Sequence, residues 1–184
     1  MKVRFYANAA KAAAREAARS LAEEAARAGL AVSARGACDV VVMREMTGHA
    51  AVLDVAVDGG SPMRYMADGI AIATPTGSTA YSLSAGGPVL MPDNRSLVVT
   101  PMNPHALGVR PIVVSDGVRL GVTSCRSVNG KGERLGVYAD GENVRMLGAG
   151  ETVVVAKSSR CARLVELEGY DPYEVLNRKL GWSK

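Results

Sequence analysis

Aromatic side chains are nearly missing from this chain: one Phe, one Trp and six Tyr stand among 184 residues. A core with so few large rings has to be closed by Ala, Val, Leu, Ile and Met, which predicts thin layers that approach closely. Cysteine is equally sparse. Cys38, Cys125 and Cys161 are odd in number, far apart and without C-x-x-C spacing, so neither a disulfide framework nor a zinc site is indicated, and a reducing cytoplasmic setting is expected. No apolar run approaches the roughly 18 residues that span a bilayer, and the opening Met1-Lys2-Val3-Arg4-Phe5-Tyr6 is too polar for a secretory signal, so no membrane partner is expected. Charge of one sign is not concentrated either. The formal net charge is +4 with the basic residues scattered, which argues against a nucleic-acid partner.

What is present has the balance of a globular chain, with 48% apolar and 22% charged residues. A domain of this length buries roughly 70% of its unfolded surface. Residues 3–7 suit a short strand, residues 9–28 are Ala-rich and strongly helical by propensity, Gly29 ends that helix, and residues 30–34 suit a second strand. From Asp39 onward the pattern changes. Short strands are predicted over residues 40–43, 51–57, 70–73, 96–100, 112–114, 119–123, 133–138, 143–146 and 152–157. Asp58-Gly59-Gly60, Asp116-Gly117, Asn129-Gly130 and Asp140-Gly141 break them with turn chemistry. Such spacing predicts an antiparallel β-sandwich. Residues 174–180 suit a closing helix, with Pro172 before it and Gly181 after it. The expected fold is therefore α+β, with an α/β (β-α-β) portion over residues 1–37, a sandwich over residues 38–168 and a helical end over residues 169–184.

The richest chemistry lies in Thr74-Pro75-Thr76-Gly77-Ser78-Thr79-Ala80-Tyr81-Ser82-Leu83-Ser84-Ala85-Gly86-Gly87-Pro88. Glycines permit close approach of a ligand to the backbone, the hydroxyls offer hydrogen bonds without charge, and Tyr81 adds a ring. Asp68-Gly69 and the β-prone Ile70-Ala71-Ile72-Ala73 stand just upstream, so the segment is a loop at a strand end. Its size and chemistry suit a nucleotide.

With Pro104-His105-Ala106-Leu107 and Arg110-Pro111 after it, this run resembles the NAD kinases, which phosphorylate the 2′-hydroxyl of NAD with ATP or polyphosphate to make NADP. The resemblance implies an N-terminal α/β domain, a C-terminal sandwich and a final helix that returns to the first domain. It also implies Mg²⁺, NAD(P) and ATP as ligands, and self-association as a dimer or tetramer. By resemblance Asp68 meets the nicotinamide-side ribose or amide, while Thr76, Thr79, Ala80, Tyr81 and Ser84 surround the adenosine. Arg64 stands where the family places basic residues near the 2′-position, and Asp140 near the ribose being modified. Asp39 can accept from a ribose hydroxyl. Cys38 takes the place of an Asn that reads the adenine edge, and a thiol is a poor donor and weak acceptor there.

Each of these residues also has a plainer reading. Asp68-Gly69 alone is a β-turn, Tyr81 a half-buried sandwich aromatic, Arg64 a solvent-facing strand residue, and Arg110 a partner for backbone carbonyls. His105 suits a structural role and His49 an exposed turn. The family's Gly-Gly-Asp-Gly-Thr loop, credited with phosphate binding and the base, does not occur in the sequence. Asp58-Gly59-Gly60 has those residue types in the wrong order and reads as a hairpin turn. No catalytic residue is therefore assigned, and the chain is expected to bind dinucleotide better than it turns over. The alternative is a non-catalytic NAD(P)-binding or regulatory module.

Overall fold

The structure, a computed structural model, describes residues 38–45, 49–125, 134–158 and 170–182. The expected β-α-β opening, Asn129-Gly130 and Cys161 lie outside the described residues. Ten strands carry the fold among those described: β1 (Asp39–Arg44), β2 (Ala51–Val57), β3 (Met63–Ala67), β4 (Gly69–Ala73), β5 (Ser96–Met102), β6 (Ile112–Ser115), β7 (Arg119–Cys125), β8 (Leu135–Ala139), β9 (Glu142–Leu147) and β10 (Thr152–Ala156). They form a six-stranded sheet in the order β6-β5-β4-β1-β8-β9 and a four-stranded sheet in the order β10-β7-β2-β3. Every pairing is antiparallel, as the spacing of turns predicts.

The two sheets differ in how their sequences read, and the reason is burial. In the four-stranded sheet residues alternate, with Leu53, Val55, Leu120 and Val122 fully buried while Thr152, Val154 and Ala156 face out. In the six-stranded sheet β4 and β5 are buried on both faces. One face meets the other sheet in a core that joins Val42, Ile70, Ile72 and Val99 to Leu53 and Leu120. The opposite face carries Val41, Ala71, Ala73, Val98 and Met102 and is covered by Ala85 and Leu90. A strand covered on both sides has no alternation to show, hence Ile-Ala-Ile-Ala and Leu-Val-Val. Each fully buried Leu contributes about 1.5–3 kcal/mol.

The strand prediction omits β3, because Met63-Arg64-Tyr65-Met66-Ala67 is short and mixed in character. It pairs with β2 through Leu53↔Tyr65 and Asp54↔Arg64. Asp68 alone separates β3 from β4, so the chain passes from one sheet to the other in a single residue. Asp58-Gly59-Gly60 is the turn after β2, as expected. Asp140-Gly141 joins β8 to β9 with φ of 48° and 83°, the paired positive angles of a type I′ hairpin.

A helix α1 (Tyr81–Ser84) follows a 3₁₀ turn (Gly77–Thr79) within the hydroxyl-rich run. The closing helix α2 spans Pro172–Leu180, starting two residues before the prediction because Asp171 caps it, accepting from the Tyr173 amide at 2.8 Å. Gly181 ends it with φ 68°. Its expected return to residues 1–37 lies outside the described residues. Among the described residues no helix is long and apolar enough to cross a membrane.

Candidate functional site

The run from Thr74 to Pro88 leaves the end of β4 and lies over the outer face of the six-stranded sheet. Its hydroxyls divide into two sets. Thr74, Ser78 and Ser82 are used by the fold itself. Ser78 is fully buried, donates to the Pro75 carbonyl at 2.6 Å and accepts from the Leu90 amide at 2.9 Å. Ser82, also fully buried, shares a 2.8 Å hydrogen bond with Thr100 of β5. The second set is Thr76, Thr79, Tyr81 and Ser84. Thr79, Tyr81 and Ser84 are exposed and Thr76 half-buried; of these, only Thr79 bonds within the loop, donating to the Thr76 carbonyl at 3.3 Å. Tyr81 is 45% exposed.

A second element meets this loop at the start of β1. The Thr74 hydroxyl and amide both donate to the Cys38 carbonyl, at 2.9 and 3.0 Å, and the hydroxyl accepts from the Gly77 amide at 3.2 Å. On the other side, Asp140 Oδ1 accepts from the amides of Cys38 at 2.7 Å and Asp39 at 3.3 Å. The Asp140 amide in turn donates to the Asp39 carbonyl at 3.2 Å. Cys38, Asp39 and Asp140 thus come together beside the loop. Thr74 and Gly77 are part of the same arrangement, which the sequence reading missed; the signal was the close spacing of a hydroxyl and a glycine after a buried strand.

The electrostatics follow from the burial. Desolvation pushes the Cys38 thiol up to about 11, aided by the charges of Asp140 and Asp39, so it is a neutral thiol near pH 7 and not a thiolate. Burial raises the Asp39 carboxyl as well, with Asp140 adding to it. Among the described residues no bond engages the Asp39 carboxylate, which leaves it available to a ligand hydroxyl. No group of three His, Cys, Asp or Glu side chains converges among the described residues.

Two other expected site residues stand apart from this group. Asp68, between β3 and β4, pairs with Arg44 at 2.7 Å and accepts from the Asn103 amide group at 2.9 Å, so both of its oxygens are engaged. Arg64 lies on the outer face of the four-stranded sheet and forks onto Asp54 at 2.8 and 2.7 Å. Arg110 donates to the Leu107 and Val109 carbonyls at 2.6 and 2.8 Å, its plainer reading. The His105 amide donates to the Met66 carbonyl, and His49 is exposed. Two open clefts of about 560 and 460 Å³ lie around Arg119, and neither includes a loop residue.

Residues 38–167 match the family model of the ATP-NAD kinase C-terminal domain. The NAD kinase of Syntrophotalea carbinolica is 40% identical over 148 residues, covering 79% of this chain and 50% of that protein. That of Symbiobacterium thermophilum is 44% identical over 155 residues, covering 84% and 53%. The chain thus spans about half the length of these relatives. Among solved structures, yeast NADH kinase complexed with NADH superposes with a TM-score of 0.71 at 29% identity, over 79% of this chain and 44% of that one. An NAD kinase from Archaeoglobus fulgidus in complex with ATP gives 0.61 at 27% identity, over 72% and 49%. The strands, the hydroxyl-rich loop and these similarities agree: the chain belongs to the NAD kinase family and carries its C-terminal β-sandwich domain.

Proposed function

We propose that this chain binds NAD or NADP through the outward face of the Thr74–Pro88 loop together with the start of β1, and that it serves 2′-phosphorylation of NAD with ATP or polyphosphate as donor. The observation that carries this is the division of hydroxyls. If the run were only a packing segment, its hydroxyls would be satisfied inside the fold, as Ser78 and Ser82 are. Thr79, Tyr81 and Ser84 are instead exposed and Thr76 half-buried, and the loop that carries them is bonded through Thr74 to Cys38, next to the Asp39 carboxylate, which no described residue engages. Uncharged hydroxyls next to one carboxylate suit a nucleoside, whose ribose donates and whose base offers both donors and acceptors. Ala80 and Cys38 line the same region. For Asp68 and Arg64 to meet the nicotinamide side or a 2′-phosphate, each must share or release its present partner.

The sandwich's part in the reaction is binding and orientation, which phosphoryl transfer depends on heavily. No base is assigned, and no step is routed through Mg²⁺. The lack of Gly-Gly-Asp-Gly-Thr in the sequence favours a second reading, a non-catalytic NAD(P)-binding or regulatory module. We expect binding to exceed turnover. Calorimetric titration with NAD, NADP and ATP, beside an assay for NADP formation, tests both. NAD(P) binding with negligible turnover supports the module, robust turnover supports a complete kinase, and failure to bind any of the three overturns both readings. Self-association as a dimer or tetramer and a cytoplasmic location belong to the same proposal; light scattering on the purified chain tests the first.

A further inference from the structure

We infer that Thr74 and Asp140 are positioning residues of this site: from opposite sides they clamp the Cys38–Asp39 peptide, and so set where the Asp39 carboxylate stands relative to Thr76, Thr79 and Tyr81. The inference rests on the dinucleotide reading above and goes beyond it in naming two residues that act through a third.

The geometry is a chain of bonds that runs from the end of β4 through the start of β1 to the turn after β8. Both main-chain polar groups of Cys38 are consumed, the carbonyl by the Thr74 hydroxyl and amide and the amide by Asp140 Oδ1. Both main-chain groups of Asp39 bond to Asp140, its amide donating to Oδ1 and its carbonyl accepting from the Asp140 amide. Asp140 makes these bonds from φ 48°, a conformation that costs a non-glycine residue energy and that persists where the surroundings over-determine it. Thr74 also accepts from the Gly77 amide, so one hydroxyl joins the strand end, the loop and the start of β1. The loop's outward hydroxyls begin two residues after Thr74, and the Asp39 carboxylate lies one peptide beyond Cys38. Losing either side-chain bond leaves its side of this peptide to a main-chain amide alone, that of Thr74 or of Asp140, and so loosens Asp39 against those hydroxyls. A misplacement on that scale is enough to weaken a site built from several simultaneous hydrogen bonds.

The test is calorimetric titration of NADP into the whole chain and its variants, with thermal unfolding as a check on folding. Asp140→Ala and Thr74→Val should each weaken binding by about tenfold or more, while Asp140→Asn and Thr74→Ser, which keep the acceptor oxygen and the hydroxyl, stay within about threefold of the native chain. The deciding readout is non-additivity: in an Asp39→Asn background, Asp140→Ala should cost less than about threefold, since the group it positions is gone. Full loss in that background, native-like binding by Asp140→Ala, or failure of Asp140→Asn to rescue would each overturn the assignment. Amide hydrogen exchange at Cys38 and Asp39 reads the clamp without ligand, and it should speed up in Asp140→Ala. Protected amides in a native chain that binds no dinucleotide would overturn the dinucleotide reading itself, and the positioning roles with it.

Discussion

Gly77 lies against the carbonyl of Cys38 so closely that a Cβ at position 77 would stand 2.1 Å from the oxygen and 2.7 Å from the carbon. Both atoms are backbone, and the same oxygen already accepts two bonds from Thr74. Nothing flexible can yield. Gly77→Ala should therefore cost about 1–3 kcal/mol of stability by overpacking. Chemical denaturation checks it: a lower midpoint with an unchanged slope is expected, and a native midpoint would show that the loop does not press on β1.

Neighbouring hydroxyls in the loop should behave oppositely. Ser78→Ala leaves the buried Leu90 amide without its acceptor and should cost about 1–3 kcal/mol. Thr79→Ala removes an exposed side chain, so stability should stay within about 0.5 kcal/mol while NAD(P) affinity falls by about threefold to tenfold. Thermal unfolding and titration of both variants read the contrast. Equal stability losses at the two positions would refute the division of the loop into a structural and a ligand-facing set.

Asp39 links stability to pH in the direction opposite to most carboxylates. Burial and Asp140 raise its folded-state pKa above the ordinary value of 3.8. The folded chain thus holds this proton more tightly than the unfolded one. Its contribution to stability is present below the ordinary value and is lost as pH rises through the raised folded value. Asp39→Asn removes that loss, so the variant should be more stable than the native chain at pH 7, with the difference gone near pH 3, while NAD(P) binding weakens. Denaturation at the two pH values, with titration at pH 7, is the measurement. A variant less stable than native at pH 7 would mean that the carboxylate is stabilised in the fold.

The Asp54–Arg64 pair should show the usual sign. The Arg64 guanidinium holds the Asp54 carboxyl below the usual carboxylate range, so its stabilising effect is present above the ordinary pKa and lost as pH falls through the lowered one. Arg64 is exposed, and solvent screening keeps the effect small. Arg64→Ala should lower stability slightly at pH 7, equal the native chain in strong acid, and show less difference at high salt. Denaturation across pH and ionic strength checks this, and a deficit that persists in strong acid would point to lost packing.

Much of this fold can be read from the sequence because its turns are chemically explicit. Asp58-Gly59 and Asp140-Gly141 sit where positive φ is needed, and the predicted strands fall within a few residues of the observed ends. β3 escapes because five mixed residues between Pro62 and Asp68 carry little β-character of their own; pairing with β2 makes them a strand. The site is legible in part. The hydroxyl-rich run is visible at once, yet its letters do not say which hydroxyls turn inward, since that depends on Leu90 and Thr100, 12 and 18 residues away. The clamp on Cys38 is hidden for the same reason: Asp140 reaches it across 102 residues. Arg64 illustrates the converse, a basic residue whose partner Asp54 becomes apparent only once β2 and β3 are in register.

The one-residue passage from β3 to β4 has a mechanical consequence. With no slack at Asp68, and with that residue tied to Arg44 and Asn103, the layers are hinged together at this corner and resist sliding past one another. A single residue inserted at the corner and taken up by slippage of β3 against β2 would turn every side chain of β3 onto the opposite face.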